Sequence, residues 1–151
     1  MDLIVVLNAL EQLEGTLAVV YAHFSQVLRS NEAVSELFRQ LSEDEQSHRQ
    51  AVRYQQRLVQ LNPDCFAEID VDVSAIQQIF ARASELLESM DITEDAALAF
   101  SIDVEYEAAE CHLKNALSQT NPALANLLRS LGKGDEEHLG LLREFVSKGA
   151  Q

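Results

Sequence analysis

Glu45-Gln46-Ser47-His48 and Asp135-Glu136-Glu137-His138 each set a carboxylate three residues ahead of a histidine. On a helix, residues three apart lie one turn apart on the same face. Facing helices of a bundle use that spacing to build two-metal sites. The two stretches decide the fold if the rest of the chain supplies four helices, and more acids at the same depth.

The pattern around them is helical. From Leu3 to about Arg29, Leu3, Leu7, Leu10, Leu17, Tyr21, Phe24 and Leu28 form one apolar stripe, interrupted by Glu14. Ser30-Asn31 offers an N-cap and a short break. A second helix over about 32–61 carries Val34, Leu37 or Phe38, Leu41, Glu45, His48, Val52, Gln55 and Val59 on one face. A turn this short between helices this long implies antiparallel neighbours.

Asn62-Pro63-Asp64 ends the second helix, and Cys65 to Val73 has no helical period, reading as an extended connection. Ser74 can cap a shorter helix over 75–89. Thr93 is the N-cap expected for a third long helix, 94–118, whose stripe is Leu98, Ile102, Glu105, Ala109, His112 and Ala116. Asn121-Pro122 starts a fourth, to about Lys148, with Leu124, Leu127, Leu131, Asp135, His138, Leu142 and Phe145 inward. The expected architecture is all-α: an antiparallel four-helix bundle of ferritin-like type. A long crossover between the second and third long helices carries the extra short helix.

The chain also aligns with itself. Glu14 precedes Glu45 by 31 residues, and Glu105 precedes Asp135 by 30. Tyr21 follows Glu14 by seven, and His112 follows Glu105 by seven. Each half provides a lone acid on its first helix and an acid-x-x-His pair on its second.

Composition bounds the rest. The 151 residues suit one domain over 1–151, and 47% hydrophobic content argues against disorder. Five glycines and two prolines are few breakers for a helical chain. A formal net charge of −14 disfavours nucleic acid as a partner. The acidity serves solubility or draws cations locally. Cys65 and Cys111 form no CxxC and read as reduced, inert thiols of a cytoplasmic protein. The apolar N-terminus lacks the basic flank of a signal peptide, and no apolar run approaches the ~20 residues of a membrane span.

This arrangement resembles the ferritin-like di-iron carboxylate proteins, and most closely the rubrerythrin branch. Glu14 with Tyr21, Glu45 with His48, and Glu105 match its pattern. Asp135 stands in the Glu place before His138, one methylene shorter, so a bridging reach from that helix depends on Gly132 or Gly134. Ala108 stands where rubrerythrins carry another Glu, and no rubredoxin-type thiolate module is present. The resemblance implies two metal ions, iron first, zinc or manganese otherwise. The first takes Glu14, Glu45 and His48, and the second Glu105, Asp135 and His138, with Glu45 and Asp135 bridging. It implies an oxidoreductase that oxidises ferrous iron or reduces peroxide or oxygen, an external electron donor, and a homodimer.

Carboxylates and imidazoles suit those metals, and four carboxylates offset two divalent cations. Each motif alone has a plainer reading. Glu14 or Glu105 singly is equally consistent with a solvent-facing acid, and each acid-x-x-His with a surface pair. Tyr21 and His112 either hydrogen-bond a ligand or fill the core. Glu11 reads as solvated and His23 as surface. Together, four acids midway along four apolar stripes are costly to bury without cations. The alternative function is a non-catalytic bundle holding a metal for structure or carriage.

Overall fold

A computed structural model describes residues 2–61, 73–118 and 122–149. Five helices appear among them: α1 (Leu3–Val27), α2 (Glu32–Leu61), α3 (Ser74–Leu87), α4 (Glu94–Ser118) and α5 (Pro122–Gly149). The all-α expectation holds. The reading of 62–72 as an extended connection, Cys65 included, and the Asn121 cap lie outside the described residues.

Local chemistry sets the ends. Asp2 caps α1 by accepting from the Ile4 amide, a signal the sequence reading passed over. Asn31 accepts from the Val34 amide and Thr93 from that of Ala96, as their residue types favour. Ser74 does not cap α3; it is the first helical residue, and Val73 precedes it without a side-chain bond. That helix stops at Leu87, two residues short of expectation.

Helices α1 and α2 form an antiparallel hairpin. Ser25 and Ser35 exchange hydroxyl–carbonyl bonds near the turn, and Ser42 Oγ donates to the Ala18 carbonyl further along. Arg49 reaches Glu11 at 2.8 Å, and Gln56 reaches Asn8 at the far end. The two helices α4 and α5 pair similarly, and α3 packs on α1 and α4. Arg82 of α3 holds Glu107 of α4.

The core is continuous through the bundle. Leu7, Leu10, Leu17, Phe24, Phe38, Leu41, Ile79, Leu128 and Leu131 are fully buried. Tyr21, Phe24, Phe38 and Phe100 form an aromatic wall with centroid spacings of 5.2–6.4 Å. Such pairs favour offset or edge contacts, which fix ring positions. This wall backs the acids described below.

One expectation needs correction. By length and composition α1 is apolar enough to cross a membrane. The stripe was read on one face only, but valines and alanines continue around the helix. Half of its most apolar stretch is buried inside the bundle, and the same helix carries Glu14 and Tyr21 at 0% exposure.

Candidate metal centre

The acids expected midway along the four stripes are all buried. Glu14, Glu45, Glu105 and Asp135 are each 0% exposed, as is His112, and His138 is 3% exposed. Each sits where the apolar period requires a core residue, so helix geometry brings it inward whatever its polarity.

The ligand-type atoms fall into three groups, each within 4.8 Å: Glu14, Glu45 and His48; Glu45, Glu105 and His138; and Glu14, His112 and Asp135. The first is the set expected for one metal. In the second, Glu45 joins Glu105 and His138, as expected of a bridging carboxylate, but Asp135 is not in the group. Asp135 instead accompanies Glu14 and His112, its Oδ2 lying 2.6 Å from His112 Nδ1. The shorter side chain places the carboxylate beside α4's histidine.

The histidines are oriented alike. His48 Nδ1 lies 3.2 Å from Glu45 and 3.4 Å from Glu14. His138 Nδ1 lies 3.0 Å from Glu45 and 3.4 Å from Glu105. The two rings stack with centroids 5.4 Å apart. Each turns its other nitrogen towards the residue just before the opposite motif's carboxylate. His138 Nε2 lies 3.3 Å from Asp44, which precedes Glu45. His48 Nε2 faces Gly134, which precedes Asp135; a Cβ there would lie 2.6 Å from Nε2 and 2.5 Å from Cε1.

Gly134 thus makes room for a histidine. A Cβ at Gly132 would lie 2.8 Å from two carbons of Leu113, so that glycine permits close α4–α5 packing. Asp44 was missed from sequence; the only available signal was its place four residues before His48.

Tyr21 donates its hydroxyl to Glu105 at 2.5 Å, crossing from α1 to α4. Both Tyr21 and His112 therefore hydrogen-bond a site carboxylate. Glu11 is not at the centre; it holds Arg49 at 2.8 Å and Arg53 at 3.1 Å. Nor is His23 simply on the surface: its Nε2 meets the Ser89 carbonyl at 2.9 Å, tying α1 to the turn after α3. Cys111 is a partly buried, reduced thiol that accepts from Asn115 Nδ2 at 3.4 Å.

Burial and crowding perturb protonation throughout. Burial, then the Glu14 charge, drives the Glu45 carboxyl well above its ordinary range. Burial also pushes Glu14 up, but the neighbouring Glu45 proton and His48 outweigh it and hold Glu14 below its usual value. Burial raises Asp135 to about 7 against the pull of His112. Burial opposes protonation of His138, yet Glu105 beside it prevails and lifts the ring to about 9. Tyr21 is pushed well above its normal value by burial and by Glu105, so the phenol keeps its proton.

Even so, pairing within the cluster is incomplete. Among the described residues, seven buried side-chain atoms lack a hydrogen-bond partner: both oxygens of Glu14, Glu45 Oε1, Glu105 Oε2, Asp135 Oδ1, His112 Nε2 and His138 Nδ1. All seven belong to this cluster. Buried polar atoms are normally paired, and an orphaned charged group costs several kcal/mol. Four carboxylates and three imidazoles that converge but leave lone pairs unused have the donor set of a transition-metal site. The residues fit such a group.

No curated protein and no solved structure matches the chain. A family model does: the one described as Rubrerythrin, over residues 12–146, a span that takes in all eight residues singled out from the sequence. The chain belongs to the rubrerythrin family.

Proposed function

We propose that the chain holds two metal ions, iron in the first instance, and uses them to oxidise ferrous iron or to reduce peroxide or oxygen with electrons from an external donor. The observation that carries this is the confinement of all seven orphaned buried atoms to one cluster. Glu14, Glu45 and His48 would hold one ion, and Glu45, Glu105 and His138 the other, with Glu45 shared. A redox-active pair, when bound, supplies the electrons for reducing an oxygen species, and an adjacent pair can clamp one substrate.

The chain's own residues do the rest. Tyr21 keeps its proton and donates to Glu105, fixing which oxygen stays free. Asp44 accepts from or orients His138 through the outer ring nitrogen, which presents the inner one to the site. Leu10, Leu17, Leu131 and the aromatic wall exclude water around the acids. That low-dielectric shell strengthens every electrostatic contact inside.

The test is anaerobic ferrous loading followed by air or peroxide, with iron per chain and absorbance recorded together. Near-stoichiometric iron and ferrous-dependent peroxide consumption are expected. Metal far below one per chain in every preparation refutes the reading.

A second reading has a specific observation behind it. Asp135 Oδ2 lies 2.6 Å from His112, and Asp135 belongs to neither the His48 nor the His138 ligand group. With one bridging carboxylate instead of two, the same cluster suits a metal held for structure or carriage. A protein that binds metal tightly but leaves peroxide unconsumed supports this second reading.

A further inference from the structure

His112 and Asp135 stand outside the two ligand sets above, yet they are as buried as any residue in the chain. The internal repeat shows what is unusual about them. Tyr21 lies seven residues after Glu14, and its hydroxyl crosses to Glu105. His112 lies seven residues after Glu105, but it makes no mirrored bond to Glu14. Its Nδ1 turns to Asp135 Oδ2 at 2.6 Å, and neither Glu14 oxygen has a partner in hydrogen-bond geometry, the nearest imidazole being His48 at 3.4 Å. A phenol closes one half of the centre, whereas an imidazole leaves the other half open.

We infer that His112 is a metal ligand, forming with Glu14 and Asp135 a divalent-cation position that shares Glu14 with the first set. This rests on the metal-binding reading above and extends it. One donor atom from each of the three residues lies within 4.8 Å of the others. Ligands at roughly 2.0–2.2 Å from a cation sit no further apart than about twice that distance, so the three atoms need close in by no more than a few tenths of an ångström. All three residues are 0% exposed.

Three kinds of atom there are aimed inward without a partner: both Glu14 oxygens, Asp135 Oδ1 and His112 Nε2. A role for His112 confined to hydrogen-bonding Asp135 accounts for one contact and leaves those atoms unanswered. A cation answers the carboxylates directly. Imidazole with two carboxylates suits iron, manganese or zinc.

The experiment counts ligated imidazoles in the intact chain. The protein is saturated with Co²⁺ under argon, and the exchangeable ring N–H protons are followed by paramagnetic NMR. A ring bonded to Co²⁺ gives a strongly contact-shifted signal; one that is merely nearby does not. The wild-type protein should show three such signals, from His48, His112 and His138. His23, bonded to the Ser89 carbonyl, is the unshifted reference.

His112→Gln should lose one signal and keep the other two. Two shifted signals in the wild-type protein, or three retained in His112→Gln, overturn the inference while leaving the two-metal reading intact. No shifted signal at all overturns both. The wild-type count decides the matter even if the variant folds poorly.

Discussion

Gly134→Ala separates the fold from the site. The added methyl would lie 2.5 Å from His48 Cε1 and 2.6 Å from Nε2. Carbon contacts settle at about 3.5–4.0 Å, so the ring must retreat by roughly 1 Å. The His48 side chain is 20% exposed, which gives the ring a way out towards solvent. The fold therefore avoids most of the ~1–3 kcal/mol that overpacking usually costs. Replacing a helical glycine by alanine returns up to ~1 kcal/mol.

The metal-free variant should accordingly melt within about 4 °C of wild type, since 1 kcal/mol shifts a domain of this size by about 2–4 °C. The site has no such latitude. Metal–ligand distances hold to about 0.2 Å, so a ring displaced by 1 Å no longer binds. Loss of an outer-sphere partner alone costs about 10–100-fold in affinity, and loss of a ligand should cost at least the upper figure. Calorimetric Co²⁺ titration beside thermal melts reads both quantities. Gly140→Ala is the control, because a methyl there meets nothing within 4 Å. A Gly134→Ala protein that binds two metals with wild-type affinity refutes the argument.

Glu45→Gln should leave the metal-free melting temperature within a few degrees at pH 7, because burial and the Glu14 charge favour the neutral carboxyl that glutamine mimics. The same variant should lose metal-dependent stabilisation entirely, since Glu45 serves two ligand groups; melts with and without Co²⁺ check both halves. Tyr21→Phe removes a hydrogen bond to a buried carboxylate and should destabilise the metal-free protein by about 1.5–3 kcal/mol in urea unfolding. Asp44→Asn should weaken one of the two metals by about 10–100-fold. Its effect on folding should stay within about 0.5 kcal/mol, because the Asp44 side chain is 47% exposed; titration and melts on one preparation test the pair.

The helices were legible because apolar period is a local signal that tertiary packing then rewards. Glu14, Glu45, Glu105 and Asp135 were legible for the same reason: each breaks a stripe at a position the period sends inward. What the stripe cannot encode is direction across the bundle. Nothing in the spacing distinguishes an Asp135 that reaches towards His138 from one that meets His112, because one methylene and a ring rotation decide it. The ends of α3 were missed on similar grounds, since a serine suited to capping can equally be the first helical residue. Asp44 was invisible because its partner lies 94 residues away.

The divergence of the two halves has a physical direction. Positions that the repeat makes equivalent carry Asp44 against Gly134, Glu45 against Asp135, and Tyr21 against His112. The members of these pairs make different contacts. Asp44 supports His138, while Gly134 admits the ring of His48. Tyr21 occupies a Glu105 oxygen, while His112 leaves both Glu14 oxygens free. Four of the seven orphaned atoms belong to Glu14, His112 and Asp135, whereas the Tyr21 and Asp44 bonds brace the Glu105 side. A centre so built binds its two cations unequally. The ion near Glu105 and His138 sits in a braced cage, and the ion near Glu14 sits where ligands can rearrange. Unequal sites should fill in sequence, so a metal titration should show resolved steps, with the step of the ion at Glu105 and His138 the one weakened in Asp44→Asn.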